Sequence, residues 1–245
     1  IYTQLIAAAS DVYKRQILAI ALWVPRAHAQ LTIEITSGVD NPTRIAVVPF
    51  RREDVSGVEY EDIAAIIQAD LSRSGRFEVL PRRDMLSSPA TREEMFFRDW
   101  SALGAEYVVI GRTRAEANQL LVAYELYDVH TKRRLFAREI KGDLGSPRYL
   151  AHKISDRVYH ELTGIPGAFS SRILYVSVTG AATKQARYRL LVADADGANA
   201  QEMLASDYPI LSPAWSPDGK QVAYVSFEKD RPSIYRQELA TSRRE

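Results

Sequence analysis

AHKISDRVYHELTGIPGAFSSRILYVSV, residues Ala151 to Val178, is the stretch on which the fold turns. Its first half has helical spacing. Leu150 just upstream, then Ile154, Val158 and Leu162, recur every four residues; Ser146 and Pro147 supply an N-cap and a first-turn proline, and Gly164 stands where a helix ends. Gly164-Ile165-Pro166-Gly167 breaks the pattern, and Arg172 to Val178 (RILYVSV) opens a grammar of strands and turns. The chain therefore divides here into a mixed helix-and-strand module and an all-β module.

Upstream, Arg44 to Phe50 (RIAVVPF) is a short apolar run suited to a strand buried on both faces. Tyr60 to Ser74 places Ile63, Ile66, Ile67 and Leu71 on one helical face, with Gly75 as its C′ residue, and Arg76 to Leu80 is a strand stopped by Pro81. Thr91-x-x-Glu94 reads as a capping box for a helix lined by Phe96, Phe97, Trp100 and Leu103. Glu106 to Arg112, Leu120 to Val129 and Arg134 to Ile140 are three β-rich runs, the last two joined as a hairpin by His130-Thr131-Lys132-Arg133. Residues 42–166 are expected to form one α/β, or α+β, domain with a mixed sheet.

Downstream, Arg189 to Ala195 is a strand ended by the Asp196-Gly197 turn, and Gln221 to Phe227 and Ser233 to Leu239 follow. Tyr175-Val176-Ser177 returns as Tyr224-Val225-Ser226, and Leu190-Leu191 is matched by Ile234-Tyr235. A strand-built repeat of about 40–50 residues is the signature of a propeller blade. Ser216-Pro217-Asp218-Gly219 supplies the turn between Trp215 and Val222, both placed to pack within the blade. Propellers use about 4–8 blades, so residues 167–245 are expected to be an incomplete β-propeller of about one and a half blades, in a chain that is the N-terminal part of a longer protein. The alternative is a small independent β-domain.

At the other end, Ile17 to Val24 (ILAIALWV) is an apolar run followed by Ala27-His28-Ala29. It is too short for the roughly 20 residues of a membrane span and of the right size for a secretory signal cleaved after Ala29. A buried element of the domain is the competing reading. Asp11 to Gln16 (DVYKRQ) resembles a translated sequencing adapter, so residues 1–29 are expected to comprise an assembly scar plus a signal peptide. Removing them takes away Lys14, Arg15 and Arg26 against Asp11, turning the formal net charge from +1 to −1. That leaves no basic surplus for holding nucleic acid.

The chain of 245 residues has no cysteine, which excludes a disulfide framework, a Cys-bearing zinc site and a thiol nucleophile. The four histidines, His28, His130, His152 and His160, show no i,i+4 pair and no carboxylate-partnered cluster, so surface or packing roles are expected. Ser226-x-x-Lys229 matches a penicillin-binding pattern but falls at a strand end, without the partner motifs. No G-x-S-x-G, P-loop or G-x-G-x-x-G is present, and Asp194-x-Asp196-Gly197 reads as a turn. No catalytic residue, cofactor site or metal site is expected. The sharpest binding candidate is an N-terminal arm, residues 30–41. Leu31, Ile33 and Ile35 alternate with Thr32, Glu34 and Thr36; Gln30 precedes them, and Ser37, Gly38, Val39 and Asp40 form the exit. Such a strand suits addition to the edge of a partner's sheet, or equally a structural strand of its own domain, or an exchange between the two.

The Ala151–Tyr159, Leu162–Gly164 and Gly167–Val176 segments, together with Ser37-Gly38-Val39-Asp40, Val47-Val48-Pro49-Phe50 and Trp100 to Gly104, resemble the TolB family, the periplasmic component of the Tol-Pal system of Gram-negative envelopes. The resemblance runs in order over residues 30–245. It implies a non-enzymatic periplasmic adaptor, peripheral to membranes, that supports outer-membrane integrity and constriction at division. The arm would engage inner-membrane TolA, and the propeller would bind the lipoprotein Pal. Rival readings are a propeller-gated serine peptidase whose catalytic domain lies elsewhere and a ligand-binding periplasmic propeller.

Overall fold

A computed structural model describes residues 41–53, 59–181, 183, 185–229 and 231–245. The leader and the arm, residues 1–40, lie outside the described residues.

The first module is built on a mixed sheet. Strand β1 (Thr43–Val47) lies between β3 (Phe77–Val79) and β4 (Tyr107–Glu116), parallel to both, and short β2 (Arg51–Arg52) also pairs parallel with β4. Strands β5 (Gln119–Asp128) and β6 (Arg133–Asp143) continue it antiparallel, giving the order β3-β1-β4-β5-β6. Helices α1 (Ile63–Arg73) and α3 (Pro147–Thr163) cover one face, and the short α2 (Phe97–Ala102) covers the other. Strand periodicity sorts the two cores. Ile45, Val47 and Val109 join Ile63, Ile67, Leu71, Leu150, Ile154 and Val158 on one side, while Ala46, Val48, Val108 and Ile110 join Phe97 and Trp100 on the other. The Arg44–Phe50 run is apolar from Ile45 to Val48 because this stretch is buried on both faces. Each buried Ile or Leu contributes about 1.5–3 kcal/mol.

Local chemistry sets the ends. Asp62 caps α1 by accepting from the Ala65 amide at 3.0 Å, and Gly75 follows at φ +68°. The Thr91–Glu94 pair departs from expectation. Thr91 makes no side-chain cap bond, residues Arg92–Glu94 form a 3-10 turn, and α2 begins only at Phe97, leaving Phe96 66% exposed. Glu94 instead accepts from Arg51 at 2.8 and 2.6 Å and from the Ala90 amide at 2.9 Å, a long-range bond that outcompetes the local cap. The Arg51 hydrogen bond and the Ala90 N–H hold its carboxyl down to about 2, against an ordinary 4.5. A depressed folded pKa gives stability that is present above pH 4.5 and lost as pH falls toward 2. Glu94→Gln should remove that part of the acid slope, read as denaturation midpoint against pH in both proteins. An unchanged slope would contradict the assignment.

Two three-stranded antiparallel sheets follow, β7-β8-β9 (Arg172–Thr179, Arg187–Asp194, Gln201–Ser206) and β10-β11-β12 (Ile210–Trp215, Gln221–Ser226, Ser233–Glu238). Leu190 of one packs with Val222, Tyr224 and Tyr235 of the other, and Trp215 joins them beneath the Arg172 guanidinium. Ser216 Oγ donates to Asp218 Oδ1 at 2.6 Å and accepts from the Gln221 amide at 2.9 Å, while Gly219 takes φ +68°, so the Ser-Pro-Asp-Gly turn closes β10 onto β11. The repeat noted in the sequence aligns β7 with β11, a first strand with a middle one. The sequence period is therefore offset by one strand from the sheets. Among the described residues no helix is long and apolar enough to cross a membrane.

Candidate functional site

The junction between the two modules is densely hydrogen-bonded. Helix α3 carries two stripes. Leu150, Ile154 and Val158 face the core, while Arg148, His152 and Asp156, also four apart, meet the β-module. Gly164 ends the helix at φ +71°, its amide bonded to the His160 carbonyl at 2.8 Å. The chain then folds back along α3. Asp156 accepts from the Phe169 amide at 2.7 Å, the Ser170 amide at 3.3 Å and the Ser170 hydroxyl at 2.5 Å. Gly167 makes this return possible, since a Cβ there would lie 2.5 Å from the Asp156 Cα. Gly167→Ala should therefore cost about 1–3 kcal/mol in urea denaturation, because a backbone atom cannot move aside as a flexible side chain does. A cost near zero would show that the return path is looser than this geometry.

One turn up the helix, His152 is 1% exposed. Its Nδ1 lies 2.7 Å from Asp70 Oδ2, and Arg73 donates to Asp70 Oδ1 at 2.6 Å. On the other side His152 Nε2 lies 3.7 Å from Asp196 Oδ2, which also accepts from Arg148. Arg148 donates its remaining terminal nitrogen to Glu61 at 2.5 Å. A line of paired polar and charged groups thus runs from α1 through α3 to the β8–β9 turn. Burial alone would raise the Asp196 pKa, but the Ala198 amide and the Arg148 guanidinium outweigh it and hold the carboxyl below its usual range.

The expectation that the histidines lack a carboxylate-partnered cluster is corrected here, since His152 stands between Asp70 and Asp196. The partners are 82 and 44 residues away in sequence, so no local spacing showed them. One signal was present: Asp70 falls on the apolar face of α1, among Ile63, Ile66, Ile67 and Leu71, where an acid needs a buried partner. The arm residues Gln30 to Asp40 lie outside the described residues.

An α/β domain with a mixed sheet, fastened through its last helix to antiparallel blades, defines a propeller protein with an amino-terminal α/β module. Residues 31–135 match the TolB amino-terminal domain and residues 159–245 the TolB beta propeller domain. The chain belongs to the TolB family. It is 47% identical over 230 residues to the Tol-Pal system protein TolB of Alcanivorax borkumensis, covering 93% of this chain and 52% of that one. Identity to the protein of the same name from Nitrosococcus oceani is 44% over 232 residues, 93% of this chain and 53% of the relative. The crystal structure of TolB from Acinetobacter baumannii superposes with a TM-score of 0.74 at 41% identity, covering 86% of this chain and 51% of that chain. The chain spans about half the length of the curated relatives it matches.

Proposed function

We propose that this chain serves as a non-enzymatic adaptor of the Tol-Pal system in the periplasm, reached after signal cleavage near Ala29. The observation that carries the reading is the presence of both TolB modules, in order, in a chain 47% identical to a protein named for that system. On this reading residues 30–41 are the arm that engages TolA, residues 42–166 a rigid α/β mount and residues 167–245 propeller blades of the Pal-binding module. The physical logic is consistent. An alternating strand offers backbone hydrogen bonds and one apolar face to a sheet edge, while blades present broad surface without chemistry. Linking an inner-membrane partner to an outer-membrane lipoprotein would support envelope integrity and constriction at division. Calorimetric titration of the chain beginning at Gln30 with the soluble periplasmic part of TolA is expected to give saturable one-to-one binding. Absence of saturable binding overturns the assignment of the arm.

A further inference from the structure

The junction places a buried ring nitrogen without a hydrogen-bond partner among carboxylates. Asp70 Oδ2 sits 2.7 Å from His152 Nδ1, and a carboxylate can only accept, so Nδ1 carries the proton. In the neutral ring this leaves Nε2 as a bare lone pair. That atom is buried, has no hydrogen-bond partner, and points at the Asp196 carboxylate 3.7 Å away. Asp194 adds a third donor, and ligand atoms of His152, Asp194 and Asp196 all lie within 4.8 Å of one another. A buried nitrogen lone pair set among carboxylate oxygens is a donor set that a metal ion can complete. Zinc bonds to nitrogen and oxygen of about 2.0–2.2 Å set at a tetrahedral angle separate the two donors by about 3.4 Å, close to the 3.7 Å between Nε2 and Asp196 Oδ2.

We propose that His152, Asp194 and Asp196 bind a divalent transition-metal ion, zinc by its donor preference, at the junction of the two modules. The surrounding groups have the arrangement such a site needs. A metal-bound histidine commonly donates its other ring N–H to a carboxylate, the part Asp70 plays here. Asp196 is oriented by the Ala198 amide at 3.0 Å and by Arg148, and Asp194 by Asn199 at 2.7 Å. The hydrogen-bonded cluster carries four carboxylates (Glu61, Asp70, Asp194, Asp196) against two guanidiniums (Arg73, Arg148), a surplus that a dication cancels. Imidazole and carboxylate donors suit zinc or cobalt more than calcium or magnesium. A cavity of about 450 Å³ lined by Glu61, Arg148, Asp194 and Asn199 reaches the Asp194 edge of the site. The site ties α3 to the β8–β9 turn, and it stands independently of which partners the protein binds.

The test is titration of the full chain with Zn2+ by calorimetry, and with Co2+ followed by its visible absorption. One ion per chain is expected. His152→Gln and Asp194→Asn should each weaken binding at least about tenfold, and Asp70→Asn about 10–100-fold through the ring it orients. Asp194→Asn keeps an oxygen for Asn199 and is the variant least exposed to misfolding, with circular dichroism checking the fold of each. A His130→Ala, His160→Ala double variant should bind as tightly as the parent. The proposal is overturned if no saturable binding occurs, if affinity is unchanged in Asp194→Asn and His152→Gln, or if it disappears with His130 and His160.

Discussion

Deletion of residues 30–41 is expected to weaken TolA binding at least about 100-fold while leaving the thermal unfolding transition in place. A hundredfold is about 2.7 kcal/mol. Burial of Leu31, Ile33 and Ile35 against a partner, at about 1.5–3 kcal/mol for each fully buried side chain, exceeds that even after the cost of ordering the arm. The fold should survive because β1 already has both its neighbours, β3 and β4, among the described residues. Period-2 geometry sharpens the test. Ile33→Lys should abolish binding and Thr32→Lys should spare it, because adjacent positions face opposite sides of a strand. The measurement is calorimetric titration of deletion and point variants alongside their melting curves. Unchanged affinity after deletion would remove the arm from the interface. A large fall in melting temperature would instead make residues 31–36 a strand of their own domain.

Asp70→Ala should cost about 1–3 kcal/mol of stability, the penalty for leaving a buried hydrogen-bonding group without its partner. Arg73 is 44% exposed on its side chain and can turn to water, but His152 at 2% cannot, so the penalty falls on the imidazole. Urea denaturation of Asp70→Ala, His152→Ala and the double variant closes the cycle. The double variant should be less destabilised than the sum of the singles, with a coupling of about 0.5–3 kcal/mol. A single-variant cost below about 1 kcal/mol, or strict additivity, would mean that the pair is not a unit.

The elements of the fold were legible in the sequence where one period dominated. Ile63, Ile66, Ile67 and Leu71 announce α1, Leu150, Ile154 and Val158 announce α3, and the Ser-Pro-Asp-Gly turn announces a blade, because each signal is complete within a dozen residues. What was illegible needed contacts across the fold. Glu94 looked like a capping residue and bonds Arg51, 43 residues upstream. Phe96 looked like part of an apolar stripe, but α2 begins one residue later and turns it outward. His152 looked like a lone imidazole on a helix, and its carboxylates come from another helix and from the next module. Strands β9 and β10 carry weaker alternation, with Ser, Pro and Glu at several positions, and became evident only as neighbours of β8 and β11.

The return of the chain along α3 also has a mechanical meaning. Arg148 and Asp156 fasten the blades at two points eight residues apart, about 12 Å along the helix at 1.5 Å per residue. A body held at one point swivels; a body held at two points on a rigid rod resists torque. Tension drawn through the blades would therefore load the middle of α3 and pass into the sheet beneath it, bypassing the Gly164–Gly167 connection. The two modules would then turn together as a lever, where a flexible tether would let each settle separately.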